Sequence, residues 1–444
     1  MPPTLSDYPG PALPLDDLRD AWVVLSIADR ASGFRILKQA DAEEFFLSLS
    51  PADMAKLLLA LPEKERRVWM RLLPPDDAAD LLQSAPAPQR DGLSALLDEP
   101  TRKEVSALLA YAEDEAGGLM NPRYARVRPD MTVDEAISYL HKQARERVET
   151  LYYAYAADEQ QRLLGVVSFR QLFVAKSDKK VRDIMVTNVV TVSAELDQEE
   201  VSRIFAKNDL MAIPVVDPDG RMKGIVTADD IVDVVQEEAT EDIQKFGGME
   251  ALEEPYLQIA FVRMAKKRGG WLAALFLGEM LTASAMAYFE DEIARAVVLA
   301  LFVPLIISSG GNSGSQASTL VIRAMALGEV RIRDWWRVVR RELAVGLALG
   351  AMLGVIGFFR IVAWQAVSPI YGPHYLRVAE TVFFSLIGVV TFGTLAGSVL
   401  PFILRKLGFD PASASAPFVA TLVDVTGLVI YFTVGSLMLR GTLL

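Results

Sequence analysis

The chain runs to 444 residues, enough for two or three domains, and its hydrophobic content of 52% exceeds the soluble average. Charge divides it: residues 1–254 carry a net −18 and the remaining 190 a net +6, so an acidic, water-soluble first half precedes an apolar, mildly basic second half. The acidic half has no basic patch for nucleic acid, the lack of cysteine excludes disulfides and thiolate metal sites, and two histidines, His141 and His374, are too few for an imidazole-built zinc or copper centre. Metal chemistry must rest on oxygen ligands, which select hard cations such as Mg²⁺, Ca²⁺ or Mn²⁺. The opening MPPTLSDYPG has neither the basic start nor the apolar run of a cleaved signal, so the soluble half is expected in the cytoplasm.

Residues 15–115 read as short helices with Leu/Ala stripes. LSPADMAKLLLALP (49–62) and LPPDDAADLLQSAP (73–86) repeat at an offset of 24, aligning Pro51 with Pro75, Asp53 with Asp77 and Pro62 with Pro86. Proline and aspartate suit a helix N-terminus, where the missing N–H costs nothing and the dipole favours negative charge. The pattern predicts a stack of helices burying their leucine faces, with these aspartates as helix-start residues.

A second repeat, of βαββα character, fills residues 120–236. Met120 and TVDEA (132–136) answer Met185 and DQEEV (197–201); GVVSFRQL (165–172) answers GIVTADDI (224–231). The pair resembles tandem cystathionine-β-synthase-type (CBS) modules over 120–182 and 183–240. That resemblance implies an adenine-nucleotide site in which Thr227 and Asp230 hold ribose and phosphate. The first copy has Ser168 and Gln171 and lacks the acid, so one nucleotide site is expected, not two. The competing reading is a purely structural pair of modules.

Acidic residues crowd the end of this unit: Asp217, Asp219, Asp229, Asp230, Asp233, Glu237, Glu238, Glu241 and Asp242. Carboxylates held close destabilise a compact state, and a divalent cation between them reverses that cost. The run is read as a cation sensor, with Asp229, Asp230, Asp233, Glu238, Glu241 and Asp242 as candidate metal ligands. The chain is expected to continue as a helix over about 239–262, linking the sensor to the basic residues Arg263–Arg268.

Five stretches meet the span requirement of about 20 apolar residues: 270–289, 294–322, 343–364, 378–404 and 417–439. Basic residues cluster before the first, after the second (Arg323, Arg331, Arg333, Arg337, Arg340, Arg341) and after the fourth (Arg405, Lys406). By the positive-inside rule this alternation places the soluble half inside and the C-terminus outside.

Three polar features at membrane depth stand out, because such groups are costly in hydrocarbon. PLIISSGGNSGSQAST (304–319) is predicted to break the second span and line a cavity, with close helix packing on small residues as the alternative. Asp424 is the one acid of the last span; an adjacent hydrated cation would keep it ionised, and a symmetric dimer would bring two copies to one axial site. Glu279 in the first span faces a pore, a helix interface or a water cavity, and the sequence leaves these open.

PLIISSGGNSGSQASTLVIRA and DPASASAPFVATLVDVTGLVIYF resemble the signatures of the MgtE magnesium transporter and channel family, and the order of segments, with AGGLM at 116–120 and EATEDI in the linking helix, agrees along the whole chain. The expected architecture is a multidomain membrane protein. It has an all-α N-terminal helical-repeat domain (1–118), an α/β tandem CBS pair (119–240), a linking plug helix (241–266) and a five-helix all-α transmembrane domain (267–444). The resemblance implies a homodimer whose plug helices close the pore when Mg²⁺ fills cytoplasmic acidic sites. Asp424 and the Ala420 carbonyl then form the pore ion site, Asp410 sits at the pore mouth, and Asn312 with Gly311, Gly314 and Gln316 lines the pore. ATP at the CBS pair is implied for some members. A Mg²⁺-gated channel for Mg²⁺ uptake is the leading expectation. A Mg²⁺ or Co²⁺ exchanger coupled to H⁺ or Na⁺, with Glu279 as proton carrier, and a non-conducting CBS receptor are the alternatives. No Walker motif points to an ATPase.

Overall fold

The structure is a computed structural model that describes residues 14–144, 148, 150, 152–252, 256, 257 and 259–443. The chain forms two compact units, Met1–Glu238 and Ala239–Leu444.

The first unit opens with short helices: α1 (Leu15–Ala21), α2 (Ile27–Arg35), α3 (Gln39–Leu47), α4 (Pro51–Ala60), α5 (Glu63–Met70), α6 (Pro75–Ser84), α7 (Ala87–Ser94), α8 (Glu99–Leu108) and α9 (Ala116–Leu119). Local chemistry sets their starts. The Ser50 hydroxyl accepts from the Asp53 N–H at 3.3 Å, Pro51 fills the first turn of α4, and the Asp98 carboxylate caps α8 through the Thr101 N–H at 3.0 Å. Leu18, Phe34, Phe45, Phe46, Leu57, Leu58 and Leu81 are buried in one core. Asp53 does more than start its helix. It is buried, accepts from Trp22 Nε1 at 3.0 Å and pairs with Arg30 at 3.2 Å, and the Arg30 guanidinium lies 4.8 Å from the Trp22 ring centre.

The expected βαββα repeat follows twice: β1 (Arg126–Val127), α10 (Val133–Gln143), β2 (Tyr153–Ala157), β3 (Leu163–Ser168) and α11 (Phe169–Val174); then β4 (Val192–Ser193), α12 (Gln198–Asn208), β5 (Ala212–Val216), β6 (Met222–Thr227) and α13 (Ala228–Phe246). Each sheet pairs its first strand parallel and its last antiparallel to the middle one. Both carry a register shift at the same place, Ala156/Ala157 and Val215/Val216. Val192, Val201, Ile213, Val226 and Ile231 of the second module share the core of the N-terminal helices.

The linking helix departs from expectation. Instead of running to residue 262 or 266, α13 stops at Phe246, and the next helix starts at Phe261. The Gly247–Gly248 pair ends it: Gly248 takes φ +73, a left-handed conformation glycine adopts without penalty, and its N–H bonds back to the Lys245 carbonyl at 2.9 Å.

The second unit holds α14 (Phe261–Tyr288), α15 (Glu290–Arg295), α16 (Val297–Ala300), α17 (Val303–Ala326), α18 (Trp335–Val367), α19 (Tyr375–Lys406) and α20 (Ala416–Met438). Among the described residues, five helical segments are long and apolar enough to cross a membrane. The break expected at 304–319 is absent; α17 is continuous. Its glycines serve close packing instead. A Cβ at Gly393 would stand 2.3 Å from the Gly310 carbonyl oxygen, and one at Gly397 only 2.0 Å from that of Gly314. Dispersion at such close approach replaces the hydrophobic drive that lipid cannot supply. The same holds for α18, whose Gly346, Gly350, Gly354 and Gly357 are buried, a Cβ at Gly350 meeting Ile387 Cα at 2.7 Å.

Candidate functional site

In the soluble unit, α6 and α13 bring acids together. Asp77 and Asp80, three apart, share one face of α6 and confront Asp229, Asp230, Asp233 and Glu237 of α13, with Glu113 nearby. Burial is the main cause that raises Asp77 to about 6, aided by Asp229 and Asp233. Burial likewise lifts Asp80 to about 8, with Asp77, Glu113, Asp230 and Glu237 adding to it. Asp230 reaches about 7 through burial, although bonds from Thr227 pull it down. Asp233 is raised by burial and by Asp229. Such a cluster holds protons at neutral pH or accepts a divalent cation in their place. Among the described residues, no three His, Asp or Glu side chains already stand in metal-holding geometry.

The other expected ligands sit differently. Glu238 accepts from Gln198 Nε2 at 2.6 Å. Glu241 and Asp410 both pair with Lys245, whose ammonium is 2.7 Å from Asp410 Oδ2. Burial alone would lower Lys245, but these two carboxylates hold it above its ordinary value. The cation between Glu241 and Asp410 in this structure is an ammonium. Asp410 also caps the turn Pro411–Ser413 through the Ala412 N–H at 2.8 Å, and Phe246 packs against Ile322, Ala412 and Ala414. Asp242 lies on the same helix, half-buried.

Thr227 and Asp230 form the start of α13. The Thr227 N–H and hydroxyl donate to Asp230 Oδ2 at 3.0 and 2.7 Å, and the hydroxyl also contacts Asp229. In the first module Ser168 and Gln171 make the equivalent cap without a carboxylate. An acidic acceptor and a hydroxyl beside a helix N-terminus suit a ribose and its phosphate, so the residues fit a nucleotide in the second module.

In the membrane unit, Asp424 is half-buried on α20 with Ala420 one turn before it. A Cβ on Gly311 would lie 3.7 Å from the Ala420 Cα and Cβ, so α17 crosses α20 beside the expected ion site. Ser308, Asn312, Gln316 and Thr319 are exposed along one face of α17, with Asn312 Nδ2 3.5 Å from Ser308 Oγ. Gly311 and Gly314, both expected to line the pore, are not on that stripe: both are buried, and the Cβ position of Gly314 lies 2.7 Å from Val419 Cγ1. Glu279 of α14 lies beside the Asp424 side chain, a proximity no local sequence pattern encodes.

Asp77, Asp80, Glu113 and Glu237 were not among the expected ligands. One signal for Asp80 existed: at the offset of 24 the first repeat carries Lys56, so the second has exchanged a cation for an anion.

Five apolar helices among the described residues, two of them bearing a carboxylate at depth, together with a CBS pair, define a multi-pass membrane transporter. Three family models match: "MgtE intracellular N domain" at 13–114, "CBS domain" at 116–178 and 181–237, and "Divalent cation transporter" at 303–434. The magnesium transporter MgtE of Thermus thermophilus is 44% identical over 349 residues, spanning 79% of this chain and 75% of that one. The magnesium transporter MgtE of Bacillus subtilis is 36% identical over 336 residues, 75% and 72% of the two chains. A crystal structure of the cytosolic domain of the Mg²⁺ channel MgtE in complex with ATP matches 50% of this chain and 90% of its own at 44% identity, TM-score 0.47. The chain belongs to the MgtE family of magnesium transporters.

Proposed function

We propose that two copies of this chain form a pore through which Mg²⁺ enters the cell down its electrochemical gradient, with the soluble half and the sensor acids in the cytoplasm and the C-terminus outside. The observation that carries this reading is the uncovered polar stripe of α17, Ser308, Asn312, Gln316 and Thr319, beside the Ala420–Asp424 segment. A stripe of that kind in hydrocarbon needs a second copy or water against it, and a two-fold axis supplies both. Asp424 and the Ala420 carbonyl receive the hydrated ion, which Mg²⁺ favours because it sheds water reluctantly. Asn312 and Gln316 line the approach, the buried Gly311 lets α17 pack beside Ala420, and Asp410 guards the cytoplasmic mouth.

Entry across 100 mV releases about 4.6 kcal/mol for a divalent ion, so no coupled ion is needed. The test is Mg²⁺ flux in proteoliposomes held at a set potential with no H⁺ or Na⁺ gradient. Flux that persists and follows voltage is expected; flux that vanishes without a counter-ion gradient turns the reading to exchange.

Gating follows from the acids of the soluble unit. Mg²⁺ binding to Asp77, Asp80, Asp229, Asp230 and Asp233 relieves their repulsion and compacts that unit, and α13 continues from there as the link, through Glu237, Glu238, Glu241 and Asp242. ATP is the nucleotide read for Thr227 and Asp230. Removing the Asp230 acceptor by Asp230→Ala is expected to weaken ATP binding about tenfold in calorimetry on the full chain, and unchanged affinity moves the nucleotide elsewhere.

A further inference from the structure

We infer that Glu279 is a second carboxylate arm of the pore-ion site, so that each chain offers the hydrated divalent cation two acidic side chains, one from α14 and one from α20. This rests on the reading of Asp424 as the pore ligand. Glu279 is the only acid in α14 and Asp424 the only acid in α20, yet the two side chains come together. Neither helix carries a cation beyond Arg268, so neither supplies a countercharge at this depth. Two lone acids brought together in an apolar region are expensive unless something positive joins them.

The Glu279 side of the pair has room for such an ion. Glu279 and Thr421 are the polar members of an open cavity of about 570 Å³ otherwise walled by residues such as Leu272, Ala273 and Phe276. Six waters at ~30 Å³ each fill ~180 Å³, so an ion with its whole first shell fits. Gly278 sets the level. A Cβ there would stand 3.0 Å from Thr421 Cγ2, so α14 comes close to α20 next to Glu279 and one turn before Asp424. At that approach a carboxylate at position 279 faces the Asp424 carboxyl from the neighbouring helix. Both groups are acceptors, and a hydrated Mg²⁺ presents only O–H donors, so the pair reads the water shell and leaves it intact.

The experiment uses full-length protein in proteoliposomes, with Mg²⁺ uptake as one readout and block by hexaamminecobalt(III), whose shell cannot be shed, as the other. Glu279→Gln keeps the size and removes the charge. It is expected to raise both half-saturating Mg²⁺ and half-blocking hexaamminecobalt(III) by about tenfold or more, since each of the two chains trades a charge-assisted contact for a weaker neutral one. Glu279→Asp is expected to restore both to within about threefold of the parent. Unchanged affinity and block in Glu279→Gln, with uptake lost in Asp424→Ala, overturns the inference and leaves the Asp424 reading standing. Equal loss in Glu279→Gln and Glu279→Asp also overturns it, since that marks a packing role. Normal uptake in Asp424→Ala overturns the underlying reading as well.

Discussion

Uptake of Mg²⁺ into proteoliposomes falls at least about 100-fold when Asp424 becomes alanine, because a two-fold pore loses two charge-assisted contacts at once. The substitution removes the only acid of α20 while leaving that helix a good helix former, and Val419, Val423, Leu428 and Tyr431 keep its buried face. The protein should therefore still extract and run as the parent does on size exclusion. Asp424→Asn, which keeps the shape and a carbonyl acceptor but not the charge, should lose uptake nearly as fully, since a neutral amide does not offset the desolvation of a divalent ion. Equal uptake by the alanine variant and the parent would remove Asp424 from the conduction path.

The second large effect is a pH-dependent stability of the soluble unit that Mg²⁺ abolishes. Asp77, Asp80 and Asp230, at about 6, 8 and 7 in the folded chain, lie above the ordinary aspartate value of 3.8. The folded state thus holds protons that the unfolded state has released, so stability declines as pH rises. The loss begins near pH 4, where the unfolded carboxyls ionise, and ends near pH 8, where the last folded one does; each retained proton costs about 1.4 kcal/mol per pH unit. Without divalent cations, thermal unfolding of the full chain should come at lower temperature at pH 8.5 than at pH 6. Saturating Mg²⁺, binding the folded cluster, should recover the difference, by about 2.7 kcal/mol at a hundredfold excess over its dissociation constant. Asp80→Asn should raise stability in chelator and shrink the Mg²⁺ response together. A parent protein whose unfolding ignores both pH and Mg²⁺ would show that these acids sense nothing.

Much of the fold was legible because it is periodic. The 24-residue repeat, the two βαββα modules and the five apolar runs each follow from spacing, and the helix ends lie within several residues of expectation except where local chemistry intervened. The first span extends back to Phe261 because a helix does not stop at the membrane surface when Arg263, Lys266, Lys267 and Arg268 can remain in water. The linking helix ends short of the expected 262 because the Gly247–Gly248 pair stops it, a signal that helical periodicity does not carry. The glycines of α17 were read as a break because their composition is the same whether backbone is opened or pressed against another helix. Only the partner decides, and Gly393 and Gly397 lie about 80 residues away in sequence. Long-range pairing hid the rest. Asp80 met Asp230, Lys245 met Asp410, and Glu279 met Asp424 across separations that no local pattern encodes.

The seam between α17 and α19 has a mechanical consequence. Where a Cβ would fall 2.0 Å from a carbonyl oxygen, the two backbones already touch, and neither can rotate or slide without collision. With α18 locked to α19 by its own glycine column, these three helices behave as one rigid stator. By contrast, α14 buries none of its residues within the chain and rests mainly on α20. In the pore proposed above, any stroke that widens the conduit therefore falls to α14, the helix that follows the first unit in the chain and bears Glu279.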